Sequence, residues 1–339
     1  MSPLISIVVP AYNAEDYLAR ALDSVVGFGP RVQVLVIDDG SADGTATLAQ
    51  RYVARFPKEV QLIRKANGGH GSAINTGLAH ATGTYLKVLD ADDWFDREVF
   101  RQVLEALGGF VSSGREVDLL VTNFVYEKVG KTRKKVVHFG GALKPRRELS
   151  WGKTGRFAMR QYLMMHALTY RTQVLREEGL QLPERTFYVD SLFALQPLRL
   201  VQSLYYLDVN LYRYFIGRPD QSVQESVMLR RLDQQLRVNW LLLDYVSKHP
   251  VADRKLRRYR LHYVAIICAV TSVMLIRAGT PEALAQRDEL WGRLRAQDPW
   301  LYRQCRFSMI GMISNLPGST GRRVSIMAYL LAQRAIGFS

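Results

Sequence analysis

The first ninety residues alternate short, largely apolar runs with amphipathic segments. Ile5 to Pro10, Val32 to Ile37, Val60 to Ile63 and Tyr85 to Leu89 each read as a strand. None of them alternates polar with apolar residues, so each must be covered on both faces. Between them apolar residues recur at helical spacing: first Leu18, Leu22, Val25 and Val26, then Leu48, Tyr52, Val53 and Phe56, then a segment from about Ser72 to His80. Asn13 is expected to cap the first helix, with Glu15 and Asp16 in its first turn, where the helix dipole favours acid. The order is β-α-β-α-β-α-β, which predicts an α/β fold with a parallel sheet and helices on both faces. Ligands of such sheets bind beyond the carboxyl ends of the strands. Acidic clusters gather there: Asp38-Asp39-Gly40-Ser41 after the second run and Asp90-Ala91-Asp92-Asp93 after the fourth.

Farther along, Asp118 to Tyr126 and Lys134 to Phe139 read as strands of a hairpin turning at Gly130-Lys131. After about residue 225 the pattern is helical: Leu229, Leu232, Leu236 and Trp240 share one spacing, and Leu256, Tyr259 and Tyr263 another. The boundary falls near residues 216–226. The longest apolar stretch, Tyr263 to Ile276, has 14 residues and includes Thr271 and Ser272. A spanning helix needs ~20 residues, so a buried core helix is expected and no membrane span. The start, Met1-Ser2-Pro3-Leu4, does not read as a signal peptide. Cys268 and Cys305 make no disulfide framework and have no metal-ligand spacing, which fits a reducing, cytosolic compartment.

Apolar residues make up 48% and charged residues 23%, which excludes disorder as the main state. There are 46 Lys and Arg against 31 Asp and Glu, a net charge of +15. That excess calls for anionic company: nucleic acid, an anionic membrane face, phosphorylated substrates or acidic polymers. No helix-turn-helix or aromatic RNA-binding signature is present, so nucleic acid is the least expected partner.

Asp90-Ala91-Asp92-Asp93 puts three carboxylates within four residues, which repel unless something positive binds them. A hard divalent cation takes oxygen ligands and shares one or two carboxylates with substrate phosphates. An isolated Asp-X-Asp is equally an ordinary helix N-terminus, and Asp96 continues the acidic pattern. This one ends a buried strand and shares its sheet edge with a second acidic pair. In that pair a carboxylate beside Gly40 can accept from a ribose or a base N–H, although Asp, Gly and Ser are also plain turn residues. Asn67-Gly68-Gly69-His70-Gly71-Ser72 opens a helix. Its glycines allow close backbone approach to a phosphate or sugar, and helix N-termini favour anions.

Four segments, taken together, resemble bacterial glycosyltransferase family 2: Ile5 to Asn13 (ISIVVPAYN), Val34 to Thr45 (VLVIDDGSADGT), Asn67 to Gly77 (NGGHGSAINTG) and Tyr85 to Trp94 (YLKVLDADDW). The resemblance covers about the first two thirds of the chain. It implies the GT-A fold, a Rossmann-like and mostly parallel sheet with helices on both faces, over residues 1–220. The nucleotide-sugar half would be about 1–100 and the acceptor half about 101–220, followed by a helical C-terminal region at 221–339. It also implies roles. Pro10, Ala11 and Tyr12 would line the nucleotide pocket, Asp39 would bond the base, commonly uracil, and Gly69 would approach the nucleotide sugar. Asp90 would face ribose or sugar, and Asp92 would be the main ligand of a Mn²⁺ or Mg²⁺ ion bridging the diphosphate.

Family 2 members usually carry a catalytic acid about a hundred positions downstream, often in a Glu-Asp pair. Here Asp190, with Val189 where the Glu would stand, resembles it, and Glu184 is the second candidate. Asp190 also suits the N-cap of a helix ahead of Leu192-Phe193-Ala194. Leu211 to Val223 is similar to bacterial members too. There Tyr212, Arg213, Tyr214 and Arg218 would reach the diphosphate or the acceptor, Arg being the geometric choice for phosphate. His166 and Tyr188 would border the acceptor, although His166 suits a core position equally well.

The implied activity is inverting transfer from a nucleoside-diphosphate sugar, expected to be a UDP-sugar, to an acceptor hydroxyl in cell-surface polysaccharide or glycolipid synthesis. The acceptor would be a saccharide, a polyol phosphate or a lipid-linked group, steered by the basic residues between Lys131 and Arg147. A metal-dependent nucleotidyltransferase would show a basic Gly-rich signature where Asn13-Ala14-Glu15 stands. A non-enzymatic protein binding polyanions or a membrane surface would explain the charge but not the carboxylates. In the tail, Arg322, Arg323 and Arg334 alternate with Val324, Ile326, Met327, Tyr329, Leu330 and Leu331. Such a helix suits an anionic membrane, the protein's own core or a second subunit of a homo-oligomer. The expected location is cytoplasmic, with peripheral contact at the inner face of the cell membrane.

Overall fold

The computed structural model describes residues 2–336, apart from 129, 131–133, 160, 218–220 and 222–223. The chain divides into two compact units, Met1–Arg156 with Leu163–Phe215, and Phe157–Tyr162 with Ile216–Ser339.

The first unit opens with β1 (Ile5–Ala11), α1 (Leu18–Val25), β2 (Val32–Asp38), α2 (Thr45–Arg55), β3 (Val60–Arg64), α3 (His70–His80) and β4 (Tyr85–Val88). It continues with β5 (Trp94–Phe95), α4 (Arg97–Ser112), β6 (Leu119–Lys128), β7 (Lys135–Val137), β8 (Glu148–Leu149), β9 (Leu168–Arg171), α5 (Thr172–Glu177), α6 (Asp190–Leu195) and β10 (Leu204–Ile216). Among the described residues the strands form one sheet in the order β3-β2-β1-β4-β9-β6-β10-β5, with β7 on β6 and β8 on β10. The first four strands are parallel, with Ile5 opposite Val32 and Tyr85, and Val34 opposite Val60. Every residue of β1, β2 and β4 is buried, which is why those runs are largely apolar, whereas β3, at the edge of the sheet, is partly exposed against expectation.

Beyond β4 the sheet turns antiparallel, so it is mixed: β9 runs against both β4 and β6, and β5 and β8 run against β10. The expected hairpin is β6 with β7, Phe124 opposite Val137. Antiparallel strands at β9 and β10 let the second half of the unit return side chains to the edge where the parallel strands end.

One local expectation is corrected. Asn13 does not cap α1, whose first helical residue is Leu18. Asn13 instead takes φ 45°, donates its N–H to Ser41 Oγ at 3.0 Å, and accepts the Ala42 N–H on its amide oxygen at 2.9 Å. The Ala14 N–H donates to Thr45 Oγ1, and Glu15 accepts the Gly44 N–H. Adjacent parallel strands end at one edge, so their loops abut. The polar residues after β1 are used to tie it to the loop after β2.

The second unit contains α7 (Glu225–Arg230), α8 (Leu232–Lys248), α9 (Arg254–Ala278), α10 (Pro281–Gln297), α11 (Pro299–Arg306), α12 (Met309–Ser314) and α13 (Gly318–Ile336). The 14-residue apolar stretch lies inside the 25-residue α9. By length and composition α9 is apolar enough to cross a membrane, but 67% of its most apolar window is buried, with α8 and α10 to α13 packed on it. Thr271 and Ser272, which interrupt the apolar run, are buried hydrogen-bond partners of Asn239 Nδ2 (2.7 Å) and Trp291 Nε1 (3.0 Å). Phe157 packs on Tyr259 and Tyr162 on Tyr263, with ring centroids 4.5 and 5.6 Å apart, which places the short segment 157–162 in this unit. Cys268 and Cys305 are buried free thiols, and burial pushes the Cys268 thiol up to about 12.

A tight backbone approach lies at Gly83, just before β4. A Cβ there would come within 2.5 Å of the Ser6 amide nitrogen, and backbone cannot yield as a side chain can. Gly83→Ala is expected to destabilise the fold by about 1–3 kcal/mol, the usual cost of overpacking. A denaturation midpoint equal to wild type would remove this contact as the reason for the glycine.

Candidate active site

The acid turn begins where β4 leaves the sheet, at the carboxyl edge. Four other elements bring side chains to it: the start of α3 (His70), the turn before β9 (His166), β10 (Tyr212 and Tyr214) and the start of α6 (Asp190). Asp90 Oδ1 meets His70 Nε2 at 2.8 Å, and Asp90 Oδ2 lies 3.7 Å from His166 Nε2. Asp93 is fully buried, and its two oxygens accept the Tyr212 hydroxyl and the Phe215 N–H, each at 2.7 Å. The Asp90 N–H donates to the same Tyr212 oxygen at 3.2 Å. Tyr214 stacks on the His166 ring at 4.4 Å.

These neighbours pull two adjacent carboxyls apart. Burial works to raise Asp90, but the facing His70 and His166 outweigh it and hold the carboxyl well below the usual range. Burial pushes Asp93 well above that range, and Asp92 and Asp90 add to the shift. Burial likewise opposes the charged form of His70, yet Asp90 overcomes it and raises the imidazole. Burial, together with Asp90 and Asp93, keeps the Tyr212 hydroxyl protonated, so it serves as a donor. Two like charges in one dry site settle into one ionised and one neutral group unless a cation joins them.

The donor set suits a hard divalent cation. Asp90, Asp93 and His166 each offer one ligand atom, and these atoms all lie within 4.8 Å of one another. His166 Nδ1 is buried with no hydrogen-bond partner among the described residues. This grouping differs from the sequence expectation, which placed the metal on Asp92 and left His166 at the acceptor. Asp92 is half-buried beside the cluster, its carbonyl accepting from Arg20 Nη2 at 2.8 Å, while the Arg20 guanidinium lies 3.8 Å from the Trp94 ring centroid.

Asp190 is the first residue of α6, and Val189 holds the cap position without a side-chain cap bond. Burial raises the Asp190 carboxyl, against the opposing pull of His166 and His70. It therefore shares the electrostatic environment of the cluster. The loop before it takes left-handed backbone at Arg185 (φ 49°) and Tyr188 (φ 65°), and Tyr188 is half-buried. Glu184, the second candidate, accepts from Ser72 Oγ at 2.9 Å.

Of the residues expected at the nucleotide, Pro10 and Ala11 are buried at the end of β1, and Tyr12 is 55% exposed. Asp39 accepts from Lys65 Nζ (2.8 Å), the Gly68 N–H (3.0 Å) and the Gly69 N–H (2.7 Å). The Gly69 amide thus faces Asp39. The glycines also admit the 183–186 segment: a Cβ on Gly69 would lie 3.2 Å from the Arg185 Cα, and one on Gly71 would lie 2.7 Å from the Pro183 oxygen. Arg213 alternates with Tyr212 and Tyr214 along β10, so it points to the other face of the strand. There it pairs with Asp96 at 2.8 Å and Glu127 at 3.1 Å, and it does not join the acid cluster. Arg218 lies outside the described residues.

Lys87 was not anticipated as a site residue. It is fully buried in β4 and donates to the His166 oxygen at 2.8 Å and the Leu168 oxygen at 3.1 Å, linking the strand that carries Asp90 to the turn that carries His166. A lysine inside an otherwise apolar strand was the available signal.

A mixed sheet with a parallel half, an acidic turn at its carboxyl edge and antiparallel strands beyond it is the GT-A fold. The model of glycosyl transferase family 2 matches residues 6–166, and over that segment the chain is similar to the family. An uncharacterized glycosyltransferase of Mycoplasma pneumoniae, the MG025 homolog, is 29% identical over 228 residues, which is 65% of this chain and 70% of that protein. The minor teichoic acid biosynthesis protein GgaB of Bacillus subtilis is 33% identical over 119 residues, 34% of this chain and 13% of that protein. The S. aureus TarS 1–349 structure in complex with UDP-GlcNAc superposes with a TM-score of 0.67 at 17% identity, covering 98% of this chain and 90% of TarS 1–349.

Burial lowers Lys87 to about 7. Between that value and the ordinary lysine range the unfolded chain holds a proton that the folded chain does not, so stability gains with rising pH. Lys87→Met removes this gain. The Tm advantage of wild type over the variant is expected to grow from pH 7 to pH 10 in thermal unfolding, and a constant difference would show that Lys87 is not buried as described.

Proposed function

We propose that this glycosyltransferase moves a sugar from a nucleoside-diphosphate sugar, with UDP as the nucleotide, to an acceptor hydroxyl with inversion at the anomeric carbon. The observation that carries the reading is the convergence of Asp90, Asp93, His70, His166 and Asp190 beyond the end of β4. The UDP-GlcNAc bound to TarS supports the donor class.

The nucleotide lies along the ends of β1 and β2, against Pro10, Ala11 and Tyr12. Three of the roughly four lone-pair sites of the Asp39 carboxylate are taken, which leaves one direction for a base N–H. Gly69 holds Asp39 in place. Asp92, with Asp90, Asp93 and His166, would hold Mn²⁺ or Mg²⁺, an ion that neutralises charge on a leaving diphosphate. His70 fixes the Asp90 carboxylate, and Tyr212 fixes Asp93. Asp190, bordered by Tyr188, removes the proton from the acceptor hydroxyl as that oxygen attacks the face opposite the departing diphosphate.

The acceptor is proposed to be a polyol phosphate, saccharide or lipid-linked group of the cell envelope, reached from the cytoplasm. GgaB's role in teichoic acid biosynthesis and the basic residues Lys144, Arg146 and Arg147, all exposed, support an anionic acceptor.

Four outcomes are expected. Asp190→Asn retains donor binding but slows transfer by about 10²–10⁴-fold, the contribution of a positioned base. Unchanged transfer would remove Asp190 from the mechanism. Because burial raises Asp190, its protonated, inactive form persists to higher pH than for an ordinary carboxylate. The acid limb of kcat/KM is therefore expected above the usual Asp range. Asp92→Ala abolishes Mn²⁺-dependent binding of UDP-GlcNAc in calorimetry, and wild-type affinity would refute the metal assignment. Released nucleoside diphosphate is expected from the donor, whereas pyrophosphate would indicate nucleotidyl transfer.

A further inference from the structure

A surface helix ordinarily turns its apolar stripe inward and its polar face to solvent. In the second unit α12 and α13 reverse that order. Along α13 the exposed large apolar residues are Val324, Met327, Leu330 and Leu331, which recur at helical spacing on one face. The buried member of the same stretch is Ser325, whose hydroxyl donates to the Ile313 and Gly321 carbonyls. In α12, Met309 and Met312 are exposed while Gly311 and Ser314 face inward. Gly311 is held so close to the end of α11 that a Cβ would run into the Cys305 carbonyl. Small residues therefore fasten these helices to their own unit, and large ones are left outside. Phe307, between α11 and α12, is 64% exposed.

The charge of this region is one-sided. Residues 299–339 contain five arginines and no aspartate or glutamate. Arg303 and Arg323 are exposed, and Arg306 and Arg322 are half-buried. We propose that α12, α13 and the turn at Phe307 form a docking surface for an anionic phospholipid bilayer. Methionine, leucine and phenylalanine side chains enter the boundary between headgroups and acyl chains, and the arginines meet lipid phosphates. A second copy of the chain fits less well. The same face set against itself would bring arginine to arginine, with no carboxylate in the region to pair them. This inference stands on exposure and charge in the helical unit alone, independently of the donor, metal and base assignments above.

The test is flotation of the full chain with phosphatidylcholine vesicles, with and without phosphatidylglycerol. The chain is expected to float with the anionic vesicles, to remain below with the neutral ones, and to be released by salt. Met327→Glu with Leu331→Glu places charge at two exposed positions, so thermal unfolding should match wild type while flotation is lost. Arg322→Ala with Arg323→Ala is expected to weaken binding to anionic vesicles about 25-fold, at roughly fivefold per arginine. Three results would overturn the proposal: no flotation of wild type, flotation of the double Glu variant equal to wild type, or a wild-type dimer that this variant splits in sedimentation without any vesicle binding. The last would assign the face to a second copy.

Discussion

Mutual repulsion within Asp90-Ala91-Asp92-Asp93 is the constraint on which the rest of the first unit depends. Three carboxylates at the end of a buried strand cannot all stay ionised in a medium of low dielectric. The surrounding chain answers from several distant points of the sequence. His70 arrives from α3, His166 from the turn before β9, and Tyr212 with the Phe215 amide from β10. The result is one carboxylate held ionised and one held neutral, side by side. A cation placed between them would let both ionise. Lys87 stiffens it from beneath by joining β4 to the His166 turn, at the cost of burying an amine.

A second constraint is geometric. Parallel strands release their loops at one edge, so each loop must satisfy its neighbours before it can serve a ligand. Asn13, Glu15, Ser41 and Thr45 close the junction between the first two loops. Asp39 and Lys65 bind the glycine-rich loop, and that loop receives the 183–186 segment that leads to Asp190. The segment leading to Asp190 and the glycine-rich loop are thus linked through Gly68, whose oxygen accepts the Arg185 N–H at 2.6 Å.

Much of this was legible in the chain itself. The largely apolar runs at 5–10, 32–37 and 85–89 announced strands covered on both faces, and the acid clusters at their ends marked the candidate site edge. What escaped reading depended on partners far away in sequence. Asn13 looks like a helix cap by its local setting, and only the neighbouring loop shows what it bonds. Arg213 looks like a phosphate ligand by type, yet the two-residue period of β10 sends it away from Tyr212 and Tyr214 toward Asp96 and Glu127. Thr271 and Ser272 look like flaws in an apolar helix until Asn239 and Trp291 are seen against them.

Short-range pattern, which depends on the periods of helix and strand and on local turn chemistry, was sufficient to determine the α/β alternation and the acidic edge. Tertiary structure alone decided which carboxyl is ionised, that His70 and His166 flank Asp90, that Asp190 shares their field, and which face of α13 is left outward. Those outcomes depend on burial and on the distance between charges brought together from residues up to about 120 positions apart. A linear sequence encodes such distances only through the completed fold, because dielectric and separation have no value until the chain has packed.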